Sequence, residues 1–246
     1  MIVREDGSSF LLITQPDHAA LARDLVNAIR TEPALDTASR DTILYATQEH
    51  DNGWIEVDAA PTIDPDTGRP CDFIAGPIAV KHELWPRGIR RAAETNPRAG
   101  ALIAQHAVTV YAYRAPEPEW QPFFGPITAM RDEILRRLGV TGGTALETFE
   151  RDYRCVRLGD LFSLHFCNGW SSPQDALGYQ SELRGNTLVI APDPFGGATV
   201  PIRVLARRIP ARRYSSDADL RKTLADVVPE LVEGEARGLV PHVTAE

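Results

Sequence analysis

The sequence predicts a mainly α fold. A helical body covers residues 15–170, a short N-terminal strand precedes it, and a C-terminal β-hairpin and helix follow over residues 185–246. Three observations carry this. Apolar residues recur every three or four positions through most of the first 170 residues, the spacing of amphipathic helices. These segments end at recognisable stops, Asn52-Gly53, Gly139 and Asn168-Gly169. Past Gly169 the period changes to alternation in NTLVIAPDPFGGATVPIRVLARRIP, which reads as two strands about a glycine-rich turn. At 246 residues the chain is expected to form one domain, 1–246, with an ordinary core.

Taken in order, Ser9–Thr14 (SFLLIT) is the N-terminal strand. PDHAALARDLVNAIR follows as a helix, with Pro16 suited to its first turn and Asp17 to its dipole. A second helix starts at Asp36 or Ser39 and runs to His50. Asp58–Pro77 is rich in Pro, Gly and Asp, and is a long ordered loop or a linker; such segments in compact domains are often functional. Helix resumes with IAVKHELW and bends or restarts at Pro86. NPRAGALIAQHAVTVYAY has Asn96 at its cap and Pro97 in its first turn. ITAMRDEILRRLG closes at Gly139, and ALETFERDYRCVRLGDLFSLHFCNGW is long and helical to Asn168. SDADLRKTLADVV is a late helix capped by Ser216 or Asp217.

Composition narrows the function. Hydrophobic and charged fractions of 43% and 24% are ordinary. A net charge of −8 argues against a nucleic-acid binder but leaves room for a phosphate substrate, because a metal can supply positive charge locally. The N-terminus lacks the apolar core of a signal peptide, and no stretch has the length of a membrane span. Cys71, Cys155 and Cys167 show no CxxC spacing, so neither a disulfide scaffold nor a cysteine zinc site is expected. A cytoplasmic setting follows. FGGA lacks P-loop spacing, and GxSxG, GxGxxG after a strand and HExxH are all missing.

The inward faces of the helices hold the chemistry. The stripe Leu21/Ala22, Leu25, Ile29 extends back to His18; Ile43, Ala46/Thr47 leads to His50. Ile78, His82, Trp85, Ile89 share a face, which Pro86 leaves open. Ala99, Leu102/Ile103, His106, Val110 and Phe149, Tyr153, Val156, Asp160, Leu164 complete the pattern. Any one of these histidines has an ordinary role as a core residue bonded to a backbone carbonyl. A buried carboxylate without a cation is costly, however, and Asp160 needs a partner. Together the inward residues read as a metal site. His165 lies about 140° round the helix from Asp160 and reads as structural or exposed, and His242 as part of a solvated tail.

A lone histidine on one helix, an adjacent His-Asp at the end of the next and an aspartate on a late helix resemble the HD-domain superfamily of metal-dependent phosphohydrolases. The resemblance implies an HD-like helical bundle with His18 as first ligand, His50 and Asp51 as the pair, and Asp160 as the last. In two-metal branches of that superfamily two further histidines stand between, as His82 and His106 do here. More closely, ITQPDHAALA, EHDNGW, PDTGRPCDF and LGDLFSLHFC are similar to the DUF3891 family, over most of the chain.

Histidine and carboxylate ligands suit one or two divalent transition ions (Fe, Mn, Zn or Ni) and not calcium. Such an ion lowers the pKa of water and stabilises a developing oxyanion. The expected function is a metal-dependent hydrolase of a small phosphorylated compound or nucleotide, with Asp51 orienting the metals or accepting a proton. Asn52, Gly53 and Trp54 would line the mouth, and Arg69 and Lys81 would bind an anionic group. Alternatives are a di-iron oxygenase using all six ligands, and a non-catalytic scaffold binding a metabolite or partner. The expected partner is a small molecule, without nucleic acid or membrane; a homo-oligomer is left open.

Overall fold

A computed structural model describes residues 1–239. Two strands open the chain, β1 (Ile2–Asp6) and β2 (Ser9–Ile13), joined through Gly7 at φ +60°, a conformation glycine adopts freely. Helix α1 (Gln15–Ala28) begins at Thr14, whose hydroxyl caps the Asp17 N–H. Helix α2 (Arg40–Glu49) ends at His50, a 3-10 turn covers Asn52–Trp54, and a short α3 (Ile55–Ala59) follows. The Pro/Gly-rich stretch is an ordered loop: Asp64 N donates to Arg69 O at 2.8 Å, and Tyr214 N donates to Gly68 O at 2.7 Å. Helix α4 (Ile78–Thr95) runs on through Pro86 without a restart. Then come α5 (Pro97–Val110), capped by Asn96, α6 (Gln121–Arg137) and the long α7 (Gly143–Asn168), which Gly169 ends at φ +68°.

The chain departs from the expected mainly α fold after α7. Strands β3 (Gln174–Ala176), β4 (Tyr179–Arg184), β5 (Thr187–Ala191), β6 (Thr199–Pro210) and β7 (Glu230–Gly238) join the first two, with helix α8 (Asp217–Ala225) between β6 and β7. The result is a seven-stranded sheet in the order β1-β2-β6-β7-β5-β4-β3. All pairs are antiparallel except β5 with β7. Helix still accounts for about 53% of the residues, but a curled mixed sheet of this size makes the fold α/β, not all-α.

The expected hairpin is also replaced. Strands β5 and β6 do not pair; β7 lies between them. The connection Pro192–Ala198 is wide and anchored, with Asp193 accepting from Phe195 N and Gly197 N, and Pro194 O accepting from Arg30 N. It leaves the width of one strand for β7. In sequence, β7 (ELVEGEARG) looks like loop because of its glutamates and glycines. The glycines are needed there: a Cβ at Gly234 would strike Asn186 O and the Phe166 ring, and one at Gly238 would strike Asp193.

One face of the sheet carries Ile2, Leu11, Ile13, Leu188, Ile190, Ile202, Val204 and Ala236 into a core shared with α1, α2 and α7. A second core, with Trp54, Leu84, Trp85, Ile103 and Phe123, lies among α4, α5 and α6. The seam between these two cores is where the inward polar residues meet. Among the described residues, no helix is long and apolar enough to cross a membrane.

Candidate metal centre

His18 comes from α1, His50 from the end of α2, His106 from α5 and Asp160 from α7; Asp51 starts the 3-10 turn. All five side chains are buried. Close helix packing brings them together. Gly159 lets α7 lie against α1 and α2, for a Cβ there would sit 2.6 Å from Val26 Cγ2 and 2.9 Å from Thr47 Cγ2. The turn holding Asp51 is pinned by α4, where Gly88 leaves no room beyond Asn52 and Gly53. Arg87 donates to Gly53 O at 3.0 Å and Arg91 to Asn52 O at 2.9 Å, so the turn's carbonyls are held from the same helix.

The hydrogen bonds fix which ring nitrogens face inward. His50 Nδ1 lies 2.7 Å from Thr47 O, a carbonyl that only accepts, so Nδ1 carries a proton and Nε2 is the nitrogen left to face a metal once its own proton is displaced. Ser163 Oγ gives its one proton to the carbonyl of Gly159 or Asp160 and accepts from His18 Nδ1 at 2.9 Å. His18 Nε2 is then the inward nitrogen as well. The two Nε2 atoms stand 3.2 Å apart. Asp160 Oδ1 lies 3.4 Å and 3.6 Å from them, and Asp51 Oδ2 lies 3.8 Å from His18 Nε2 and 3.4 Å from His50 Nε2. These two ring nitrogens and two carboxylates face one another in a buried cluster that could hold a cation. Outward-bonded Nδ1 atoms with inward Nε2 atoms are also the arrangement in which metal-ligating histidines are oriented by their second nitrogen. The groups His18–His50–Asp51 and His50–His106–Asp160 each bring ligand atoms within 4.8 Å of one another and could hold a metal ion.

The protonation states agree. Burial disfavours the charged imidazole of His50, but the carboxylates of Asp51 and Asp160 outweigh it and raise its pKa to about 9. Burial pushes Asp51 up, although His50 and His18 oppose the shift. Asp160 is held well below the usual carboxylate range: its burial acts upward, and His106, the bonds from His18 and His50, and Arg157 overcome it. Burial drives His106 well down, so that ring is neutral. The metal-free centre therefore holds a proton on His50. That raised value stabilises the metal-free fold fully below about pH 6.5, and the contribution is lost as pH rises through about 9. Metal must displace the same proton, so apparent affinity is expected to rise roughly tenfold per pH unit up to about pH 9. Titration calorimetry in buffers of different ionisation heat should count about one proton released per ion at pH 7.5. Release of none would contradict the raised His50 value.

His82 stands apart from this group. Its ring stacks on Phe123 at a centroid distance of 5.8 Å within the second core, because α4 continues straight through Pro86 and turns that face toward α6. Asn52 is buried, donates to Glu49 and lies against Gly88, away from the cavity. Arg69 pairs with Glu5 on the sheet side and covers the Phe10 ring. Lys81 is buried, and its ammonium donates to Ile74 O at 3.1 Å and to Gly76 O, over the Tyr111 and Trp120 rings. It secures the loop at 74–76 and is not free for an anion. His165 is structural, bonded to Ser181 Oγ at 2.8 Å and Trp170 O at 2.6 Å. His242 lies outside the described residues.

A cavity of about 250 Å³ opens on Asp51, His106 and Asp160, with Trp54 in its wall. Sequence reasoning missed Ser163 and Arg157, which serve Asp160 and His18 from the same helix. Arg157 Nη1 donates to Asp160 Oδ2 at 2.5 Å. Their spacing, three residues on either side of Asp160, was the available signal.

Fold and site together define a buried histidine–carboxylate centre among helices α1, α2, α5 and α7 of a chain that also carries a curled mixed sheet. The chain belongs to the family described as protein of unknown function (DUF3891), whose profile matches residues 1–211. The match spans both layers and every residue of the centre. The family description carries no activity, so neither an HD-domain assignment nor a hydrolase activity comes with it. No curated protein and no solved structure matches the chain.

Proposed function

We propose that the protein is a metal-dependent hydrolase holding one divalent transition ion through His18, His50, Asp51 and Asp160, and acting on a small phosphorylated compound. The buried clustering of the His18 and His50 ring nitrogens with the Asp51 and Asp160 carboxylates carries this reading. The ligand order is similar to that of HD-domain phosphohydrolases and supports it further. A bound ion would lower the pKa of water and stabilise the oxyanion that develops as the ester breaks.

The remaining chemistry belongs to the chain. Asp51 lines the cavity, placed to accept the proton of attacking water. Neutral His106 presents its ring to the same cavity for a hydrogen bond to substrate. Apolar walls exclude competing water. A second ion is disfavoured: His82 is turned away, and Asp160 Oδ2, which His106 faces at 3.7 Å, is already held by Arg157. This weakens the di-iron alternative as well.

Protein reconstituted with Mn or Zn is expected to release phosphate from phenyl phosphate, with His50→Ala lowering turnover by at least about a hundredfold while remaining folded. Metal-loaded protein that hydrolyses no phosphate ester would overturn the hydrolase reading and leave the metal site standing.

A further inference from the structure

We infer that the site selects a small compound built of one flat apolar body and one oxyanion, with aromatic walls gripping the body and Arg157 the anion. This rests on the proposed metal centre for the charge at the anion end, and on the hydrolase reading for which end of the compound reacts. The walls are Trp54, Phe73, Trp85, Tyr111 and Trp170, and several rings meet edge to face, such as Trp85 with Tyr111 at 6.1 Å. Faces arranged in this way suit a flat ring.

Charge sets the other end. Besides Asp51, Asp160 and the neutral His106, Arg157 is the one charged side chain lining the cavity among the described residues. It spends one nitrogen on Asp160 Oδ2, and its other donors have no hydrogen-bond partner among the described residues. A divalent ion with Arg157, set against two carboxylates, leaves one positive charge. That offsets a carboxylate fully and the charge of about −1.5 to −2 on a single phosphate in part; of the other cations singled out, Lys81 and Arg69 are committed elsewhere and do not serve a longer polyphosphate.

Size agrees. A cavity of about 150 Å³ can hold a benzene ring, and pockets for larger organic ligands begin at about 300 Å³. At about 250 Å³ this one takes a ring and one oxyanion group but not an intact nucleotide.

Quenching of tryptophan fluorescence by phenylphosphonate, methylphosphonate and adenosine monophosphate would test this on protein with and without Mn. Phenylphosphonate is expected to bind at least about tenfold more tightly than methylphosphonate, with adenosine monophosphate weaker than phenylphosphonate. Trp170 keeps 38% exposure, so Trp170→Ala should fold and erase most of that ratio, weakening phenylphosphonate more than methylphosphonate. Arg157→Gln should weaken both phosphonates by about tenfold or more, and Arg157→Lys, which keeps the charge beside Asp160, should weaken them less. Without Mn both should bind more weakly at an unchanged ratio. A wild-type ratio near one, adenosine monophosphate binding as tightly as phenylphosphonate, or no effect of either Arg157 variant would overturn the inference. Metal content of the same samples separates the two readings. An intact ratio without metal uptake sinks the hydrolase alone, and metal uptake with a ratio near one sinks the substrate class alone.

Discussion

Asp160→Asn is expected to fold and to lose its metal, with affinity down by at least about a hundredfold. The amide keeps the shape of the carboxylate but not its charge, and it places a neutral group where Oδ1 faces both His18 and His50. Loss of a mere orienting partner already costs about 10–100-fold in metal affinity, and Asp160 is argued here to be a ligand itself. The change also strips Arg157 of its counter-ion. Because Arg157 keeps 23% exposure, that loss should cost about 1–3 kcal/mol, below the 3–5 of a fully buried pair. Elemental analysis and circular dichroism on the same preparation check both parts. An Asn variant with wild-type metal content would remove Asp160 from the ligand set.

Gly159→Val should be the most damaging single change to the fold that leaves every polar residue in place. Its side chain would grow from a point where even one carbon comes within 2.6 Å of Val26, 2.9 Å of Thr47 and 3.0 Å of Ala22 O. The last is helix backbone and cannot rotate away. Overpacking of this kind costs about 3 kcal/mol, or roughly 6–12 °C in Tm for a chain of this size. Metal binding should weaken too, since α7 carries Asp160 and Ser163 as it is pushed from α1. Gly125→Ala is the contrast. Gly125 sits inside α6 with no residue other than its chain neighbours near its Cβ position; alanine gains helix propensity but meets the ring of Pro126, so the change should stay within about 1 kcal/mol either way. Equal thermal shifts in the two variants would contradict the packing account.

The helical layer was legible because each helix buries one stripe, and the stripe records which way its polar members point. His18, His50, His106 and Asp160 were readable in this way, and the caps at Asn96 and Ser216 fell where their side chains accept backbone N–H groups. His82 shows the limit. Pro86 hid the course of α4, so its period could not say which neighbour that face meets. Most of the sheet was illegible for a different reason. Strand β1 is acidic toward its exposed end, β3 has three residues, and β7 owes its place to partners distant in sequence and to glycines that admit them. Strand pairing of this kind is set by tertiary neighbours rather than by local preference. Arg69 and Lys81 are expected from sequence to bind an anionic group, but charge alone does not reveal a partner: Glu5 takes the first, and two loop carbonyls take the second.

His18, His50, Asp51 and Asp160 are proposed to share one cation. Elemental analysis of the purified protein, after reconstitution with Mn, Fe or Zn and removal of loose ions, tests it most directly. The account predicts about one transition-metal ion per chain, retained at neutral pH. No metal after reconstitution of a folded protein would contradict it and reduce His18, His50 and Asp160 to structural residues; two ions per chain would contradict the role given to Arg157.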